Sequence, residues 1–106
     1  MIVTSSENIA HKRIVTTVGL VRGNTIRARH LGHDIAAFFR NLVGGEVINY
    51  TKLIAESREQ AVDRMIEDAR TRGANAIVAM RFATAEMMAG AAEILAYGTA
   101  VIVEDE

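Results

Sequence analysis

The chain has 106 residues and a formal net charge of −1 at pH 7, with 12 Lys and Arg against 13 Asp and Glu. Half of the residues are hydrophobic but only 5% are aromatic, so the apolar content is mainly aliphatic. Because the chain has no Cys, disulfides, thiolate metal sites and a cysteine nucleophile are excluded. The balanced charge gives no general attraction to nucleic acid.

The length predicts a single domain that spans residues 1–106. So high an apolar content in so small a chain favours a homo-oligomer. The N-terminal residues lack the basic start and apolar core of a signal peptide, and no run approaches the ~18 apolar residues that a membrane span needs. We therefore expect a soluble, cytoplasmic protein whose partners are copies of itself, and neither a membrane nor nucleic acid.

Charges are unevenly distributed along the chain. Residues 11–30 contain five basic residues and no acid, whereas residues 84–106 contain five acids and no Lys or Arg. Opposite charges commonly pair across neighbouring strands, so the first hypothesis is that these segments are adjacent strands or meet at a subunit boundary. The alternative is an anion site lined by arginines, among them Arg27 and Arg29.

The first half of the chain predicts two strands and a short helix. Residues 13–22 and 24–29 are rich in β-branched residues, with a turn or bulge expected at Gly23-Asn24. From Asp34 the apolar residues recur at the helical spacing i, i+3, i+4, i+7 and i+8. This pattern predicts a helix that ends before Gly44-Gly45.

A long helix and two strands are predicted for the second half. The helix is expected from an N-cap at Thr51 to Arg72, with Gly73 as the residue that ends it. Residues 74–83 and 92–103 are the two clearest strands, and the second is apolar on both faces. The predicted fold is α+β, a two-layer sandwich of helices on an antiparallel sheet. We expect helices to cover one face of the last strand and a neighbouring subunit to cover the other.

These residues also resemble a known family. The chain is similar to the YbjQ-like proteins, small bacterial and archaeal proteins of unestablished function that are often labelled as heavy-metal-binding domains. The resemblance covers nearly the whole chain and is carried by Gly19, Val21, residues 23–25, residues 44–46, Tyr50, Arg58, Glu59, Ala61, Arg64, Met65, residues 73–76 and residues 97–101. It implies a β-α-α-β-β, dodecin-like subunit in a ring-shaped homopentamer. Two departures are the histidines His30 and His33, and Ala79 where relatives often have Gly.

Candidate metal ligands occur in one cluster. His30, His33 and Asp34 lie close together in sequence, with Glu46 further along the chain. Two imidazoles and a carboxylate suit Zn, Ni or Cu, but the same residues also serve as ordinary loop and helix-start residues. Since no Cys is present, no thiolate is available to bind a metal cofactor. The alternative soft ligands are methionines, which more commonly fill a core.

A ligand pocket between helix and sheet would use the polar residues of the family-like motifs. The candidates are Tyr50, Arg58, Glu59 and Tyr97, with Glu46 as a further carboxylate. An arginine can bind a carboxylate or phosphate with two parallel hydrogen bonds, although Arg58 could equally pair with an acid of a neighbouring subunit. The sequence thus predicts a homo-oligomeric binding protein for a metal ion or small anion. An enzyme with an active site between subunits is the alternative.

Overall fold

The computed structural model describes residues 1–28, 47–88 and 91–106, without the side chains of residues 27, 28, 47–53, 86–88 and 91. Its elements are β1 (Ile2–Val3), β2 (Lys12–Ala28), α1 (Val47–Thr71), β3 (Ala76–Met88) and β4 (Ala91–Asp105). The predicted α+β class is confirmed. The short helix predicted from Asp34 lies outside the described residues.

The four strands form one sheet in the order β1-β3-β4-β2. Strand β4 pairs antiparallel with both β2 and β3, while β1 runs parallel to β3. The prediction of a wholly antiparallel sheet is therefore wrong, and the sheet is mixed. Strand β1 has only two residues, too few to show any alternation in the sequence.

Strand β2 is continuous where a turn was predicted. Gly23 pairs with Ala96 and Asn24 with Leu95, in unbroken register with β4. Gly23 instead permits close packing of α1 on the sheet: a Cβ atom there would lie 2.7 Å from the Arg64 Cβ atom and would also overlap helix backbone. The Gly-Asn pair is thus a site of helix contact, and pairing with β4 overrides its local turn tendency.

Helix α1 begins at Val47, so the prediction of an N-cap at Thr51 is wrong. Its predicted end is close to the observed one. Gly73 adopts a φ of 84°, its N–H donates to the Arg70 carbonyl at 3.0 Å, and the Ala74 N–H donates to the Ala69 carbonyl at 3.1 Å. These two bonds are those of a Schellman motif, in which glycine tolerates the left-handed conformation.

One apolar stripe of α1 packs on β2 and β4. Ala61, Met65 and Ala69 are fully buried at the i, i+4, i+8 spacing, and Ser57 extends the stripe toward the N-terminal half. The carbonyl of Ser57 accepts a hydrogen bond of 2.9 Å from the buried Thr25 hydroxyl. From the sheet, the stripe meets Val21, Ile77, Ile94, Ala96 and Ala100.

The other face of β4 is partly covered from within the same chain. Val101 and Val103 are buried with Ala76 and Val78, and Ile9 and Ile14 pack against this second cluster. The expectation that only a neighbouring subunit would cover this face is therefore wrong for the C-terminal half of β4. The N-terminal residues could not be assigned to this position from sequence because their contact with β4 depends on tertiary structure.

A bulge in β3 anchors the N-terminal segment. The pairing of β3 with β4 shifts register between Val78 and Arg81, and Ala79 lies there with a φ of 54°. Its N–H donates to the Ser6 carbonyl at 2.8 Å, and the Met80 N–H donates to the Thr4 carbonyl at 3.0 Å. Left-handed conformations are costly for residues with a Cβ atom. The alanine at this position therefore affects the backbone conformation more than the packing.

Helix side chains cap the outer edge of β2. The Arg64 Nη1 atom donates to the Asn24 carbonyl at 2.6 Å, and the Arg72 Nη1 atom donates to the Leu20 carbonyl at 3.1 Å. Between them Asp68 accepts a bond of 3.3 Å from the Arg22 N–H. Since an edge strand otherwise presents unpaired backbone groups, this i, i+4, i+8 charged stripe protects β2 from unwanted pairing.

Opposite charges do pair across β2 and β4, as predicted from the uneven distribution. Lys12 pairs with Asp105 and Arg13 with Glu104, in direct register across the two strands. The hydrogen bond from Lys12, together with its positive charge, lowers the pKa of Asp105 below its ordinary value of 3.8.

Candidate functional site

A cleft of about 360 Å³ lies between the first half of α1 and strand β3. The helix contributes Ala55, Arg58, Glu59 and Val62, which share one face at the i, i+3, i+4, i+7 spacing. Strand β3 contributes Phe82. The cleft thus combines three apolar side chains with one cation and one anion.

The cleft exists because α1 lies over β2 and β4 more than over β3. Phe82 is paired in register with the buried Ala96, so it stands on the helix side of the sheet. It nevertheless remains 45% exposed. A large aromatic ring left open beside two charged groups is the kind of surface on which small amphipathic ligands bind.

Arg58 and Glu59 have no ion-pair partner within residues 1–28, 47–88 and 91–106. Their charged groups are exposed at the rim of the cleft. The planar Arg58 guanidinium could donate two parallel hydrogen bonds to a carboxylate or phosphate, and the Glu59 carboxylate could accept from an ammonium or hydroxyl group. The cleft therefore suits a small ligand with an anionic group, an apolar body and a hydrogen-bond donor.

The structure brings together only part of the predicted pocket. Arg58 and Glu59 line the cleft, whereas Tyr97 lies on the opposite face of the sheet, in register with Arg22 and Arg81. Tyr50 belongs to the first turn of α1, but its side chain is outside the described set. Phe82 was not predicted as a site residue, because its exposure depends on the position of the helix and leaves no local signal in the sequence.

The predicted anion and metal residues fall largely outside the described structure. Arg27 pairs through its backbone with Ala92, and nothing is described of its side chain. Arg29, His30, His33, Asp34 and Glu46 all lie within residues 29–46, which are not described.

The described residues do not fit a heavy-metal centre. In the part of the chain that the structure covers, no three His, Cys, Asp or Glu side chains come together. Met80, one of the alternative soft ligands, packs against the core, which is the usual role of methionine. Soft heavy-metal ions prefer thiolates, and the sequence has none.

No stretch of helix α1, the one helix described, is both long enough and apolar enough to cross a membrane. The described fold is thus a small α+β domain with a mixed four-stranded sheet and a helix on one face. The family follows from comparison of the sequence.

Residues 1–104 match the model of the YbjQ family, whose description is "putative heavy-metal-binding". The chain is 52% identical over 106 residues to a UPF0145 protein of Clostridioides difficile, covering 100% of this chain and 95% of the relative. A UPF0145 protein of Methanosarcina acetivorans is 54% identical over 101 residues, covering 95% of each. The chain therefore belongs to the YbjQ (UPF0145) family, as its motifs predicted.

A solved structure supports the fold independently. A protein of unknown function from Pediococcus pentosaceus, assigned to the DUF74 family, superposes with a TM-score of 0.64 over 98% of both chains. The two sequences are only 14% identical, so this likeness concerns the fold alone.

Proposed function

We propose that the protein is a cytoplasmic homo-oligomer, a pentameric ring of dodecin-like subunits, that binds a small anionic ligand in clefts completed by neighbouring copies. The exposed apolar side chains of the sheet support the assembly, and the cleft at Arg58 supports the ligand.

The observation that carries the assembly is the sheet face opposite α1, here called the open face. On β2 it includes Leu20 and Ile26, which are 60% and 52% exposed. In register on β4 it includes Thr99, Tyr97, Leu95 and Glu93. Exposed apolar side chains grouped on one side of a sheet are typical of an interface, and a small aliphatic chain gains stability by burying them against another copy.

A head-to-tail contact between copies is the kind that closes a ring. The two lateral sides of the sheet differ in character: β2 is capped by helix side chains, whereas β1 pairs only with the first two residues of β3. Because the two edges of the sheet differ, we expect the β2 edge of one copy to face the β1 edge of the next copy. Phe82 and the cleft lie on the β3 side, where the next copy would complete the site.

Substitution within the open face tests the assembly. Leu20→Asp should shift the parent oligomer toward smaller species in sedimentation velocity, because the charge would have to be buried without a partner. Val15→Asp is the matched control, since Val15 is also exposed, at 44%, but lies at the bulge near the start of β2. If both variants sediment like the parent, the open face is not the interface.

Substitution of Arg58 tests the ligand. Native mass spectrometry of the parent purified from cells should retain a small molecule, and Arg58→Gln should lose it while keeping the same oligomeric mass. The control is Arg70→Gln, whose side chain pairs with Glu67 further along the same helix. Equal ligand retention in Arg58→Gln and the parent would contradict the assignment of the cleft.

The metal hypothesis has a test of its own. Any site would have to use His30, His33, Asp34 and Glu46, or the methionines, because no three His, Cys, Asp or Glu side chains come together among the described residues. We expect that titration of Zn, Ni or Cu(II) into chelator-treated protein gives no site tighter than about micromolar, or ~8 kcal/mol. A tight site with one metal per chain that His30→Ala with His33→Ala abolishes would contradict this expectation.

A further inference from the structure

Two arginines flank Tyr97 on the open face of the sheet. Tyr97 is in direct register with Arg22 on β2 and with Arg81 on β3. Residues directly opposite each other on neighbouring strands project to the same face, and strands are about 4.8 Å apart. The Cα atoms of Arg22 and Arg81 are therefore about 10 Å apart, a separation that two guanidinium groups can bridge around one small group.

Among the described residues, no carboxylate forms an ion pair with either arginine of this row, although Asp68 accepts a hydrogen bond of 3.3 Å from the Arg22 backbone N–H. Within residues 1–28, 47–88 and 91–106, Lys12, Arg13, Arg70 and Arg72 each form an ion pair, whereas Arg22 and Arg81 form none. On the same face of β4, Glu93 is four residues from Tyr97 and accepts a hydrogen bond of 3.1 Å from the Asn24 side chain.

One of the two guanidinium groups is held in place. The Arg81 Nη1 atom donates to the carbonyls of Ser5 and Met80, each at 2.8 Å. A guanidinium has five N–H donors, so Nε and Nη2 of Arg81 remain for a ligand. The Arg22 side chain is exposed, and none of its donors is engaged within the described structure.

We propose that the row Arg22, Tyr97 and Arg81 binds the phosphate group of a small molecule. A phosphate monoester carries about −1.5 to −2 charges at pH 7 and three acceptor oxygens, which match two guanidinium groups and a phenol O–H better than a carboxylate does. This site is on the opposite face of the sheet from the Arg58 cleft. The row lies on the open face, so in the proposed ring a bound phosphate would also neutralise arginines at the interface between copies. All three residues of the row belong to one chain.

Inorganic phosphate is the probe. Isothermal titration at constant ionic strength should show phosphate binding to the parent, with acetate binding more weakly. Arg22→Gln removes at least one charge-assisted hydrogen bond and should raise the apparent Kd for phosphate about tenfold or more. Arg70→Gln, whose side chain pairs with Glu67 on α1, is the control and should leave the Kd unchanged.

Arg22→Gln is the decisive variant because Arg81→Gln would also release the N-terminal segment at Ser5. Tyr97→Phe adds a second test that keeps the ring: it should weaken phosphate binding without lowering the thermal midpoint in phosphate-free buffer. An unchanged Kd in Arg22→Gln overturns the proposal. If Arg58→Gln alone loses phosphate, the anion binds in the cleft, so this row fails while the proposed function stands.

Discussion

The side-chain amide of Asn75 pairs with both backbone groups of Val103. The Asn75 Nδ2 atom donates to the Val103 carbonyl at 2.9 Å, and the Val103 N–H donates to the Asn75 Oδ1 atom at 2.8 Å. Strand β3 begins only at Ala76. The side-chain amide of Asn75 therefore extends the hydrogen-bond ladder between β3 and β4 by one further pair of bonds. This explains an asparagine directly before a strand, where the residue itself has low β-propensity.

Replacing Asn75 with alanine should lower the free energy of unfolding by about 1–3 kcal/mol, because two partly buried backbone groups of Val103 lose their partners. Urea denaturation followed by circular dichroism measures the change. Asn8→Ala is the control, since Asn8 is bonded through its backbone carbonyl. A loss in Asn75→Ala no larger than in the control would show that the amide does not stabilise the ladder.

Two adjacent acids on α1 should differ in their importance. Asp68 accepts hydrogen bonds from the Arg22 N–H and from Arg72 Nε, at 3.3 and 3.2 Å, whereas Glu67 pairs with the exposed Arg70. We expect Asp68→Ala to cost about 1–2 kcal/mol of unfolding free energy and Glu67→Ala less than about 0.5 kcal/mol. Equal losses in thermal melts would mean that the cap on the β2 edge contributes nothing specific.

Ala79→Gly should stabilise the fold. The φ of 54° at Ala79 is costly for alanine and free for glycine, and the gain exceeds the extra chain entropy of glycine in the unfolded state. The left-handed penalty of roughly 1–2 kcal/mol, less the entropy cost of glycine of roughly 0.5–1 kcal/mol, gives an expected net gain of about 0.5–1 kcal/mol. The thermal midpoint measures it, and a lower midpoint than that of the parent would contradict the assigned backbone conformation.

The pair of Lys12 and Asp105 should contribute to a weak dependence of stability on pH. Because the folded-state pKa of Asp105 lies below 3.8, its contribution is present above the unfolded pKa and is lost as the pH falls through the folded value. In an NMR titration, Lys12→Gln should raise the pKa of Asp105 toward 3.8. Added salt should have the same effect in the parent. An unchanged pKa in Lys12→Gln would show that Lys12 is not the cause.

Much of the fold could be predicted from local pattern, and the errors occur where tertiary pairing decides. The end of α1 at Gly73 and the positions of β3 and β4 were predicted because caps and apolar runs are local signals. Gly23-Asn24 was interpreted as a turn because nothing in the sequence shows its pairing with β4. The parallel strand at Ile2 was not predicted, because two residues are too few to show the alternation of apolar and polar residues that indicates a strand.

The same distinction applies to the candidate sites. Arg58 and Glu59 were found because they lie in the family-like motifs, while Phe82 was missed because its exposure depends on where α1 packs. Arg81 was missed because register across three strands alone places it beside Tyr97. Gly98 packs within the chain, since a Cβ atom there would lie 2.7 Å from Ile77 Cγ2, so Gly98→Val would test folding and not assembly.

The native mass of the purified protein distinguishes the proposed closed homo-oligomer from a monomer. Native mass spectrometry from a low-micromolar solution should give five times the 11.5 kDa mass of one chain, with no series of larger species that would indicate an open filament. A spectrum dominated by the 11.5 kDa chain would contradict the account.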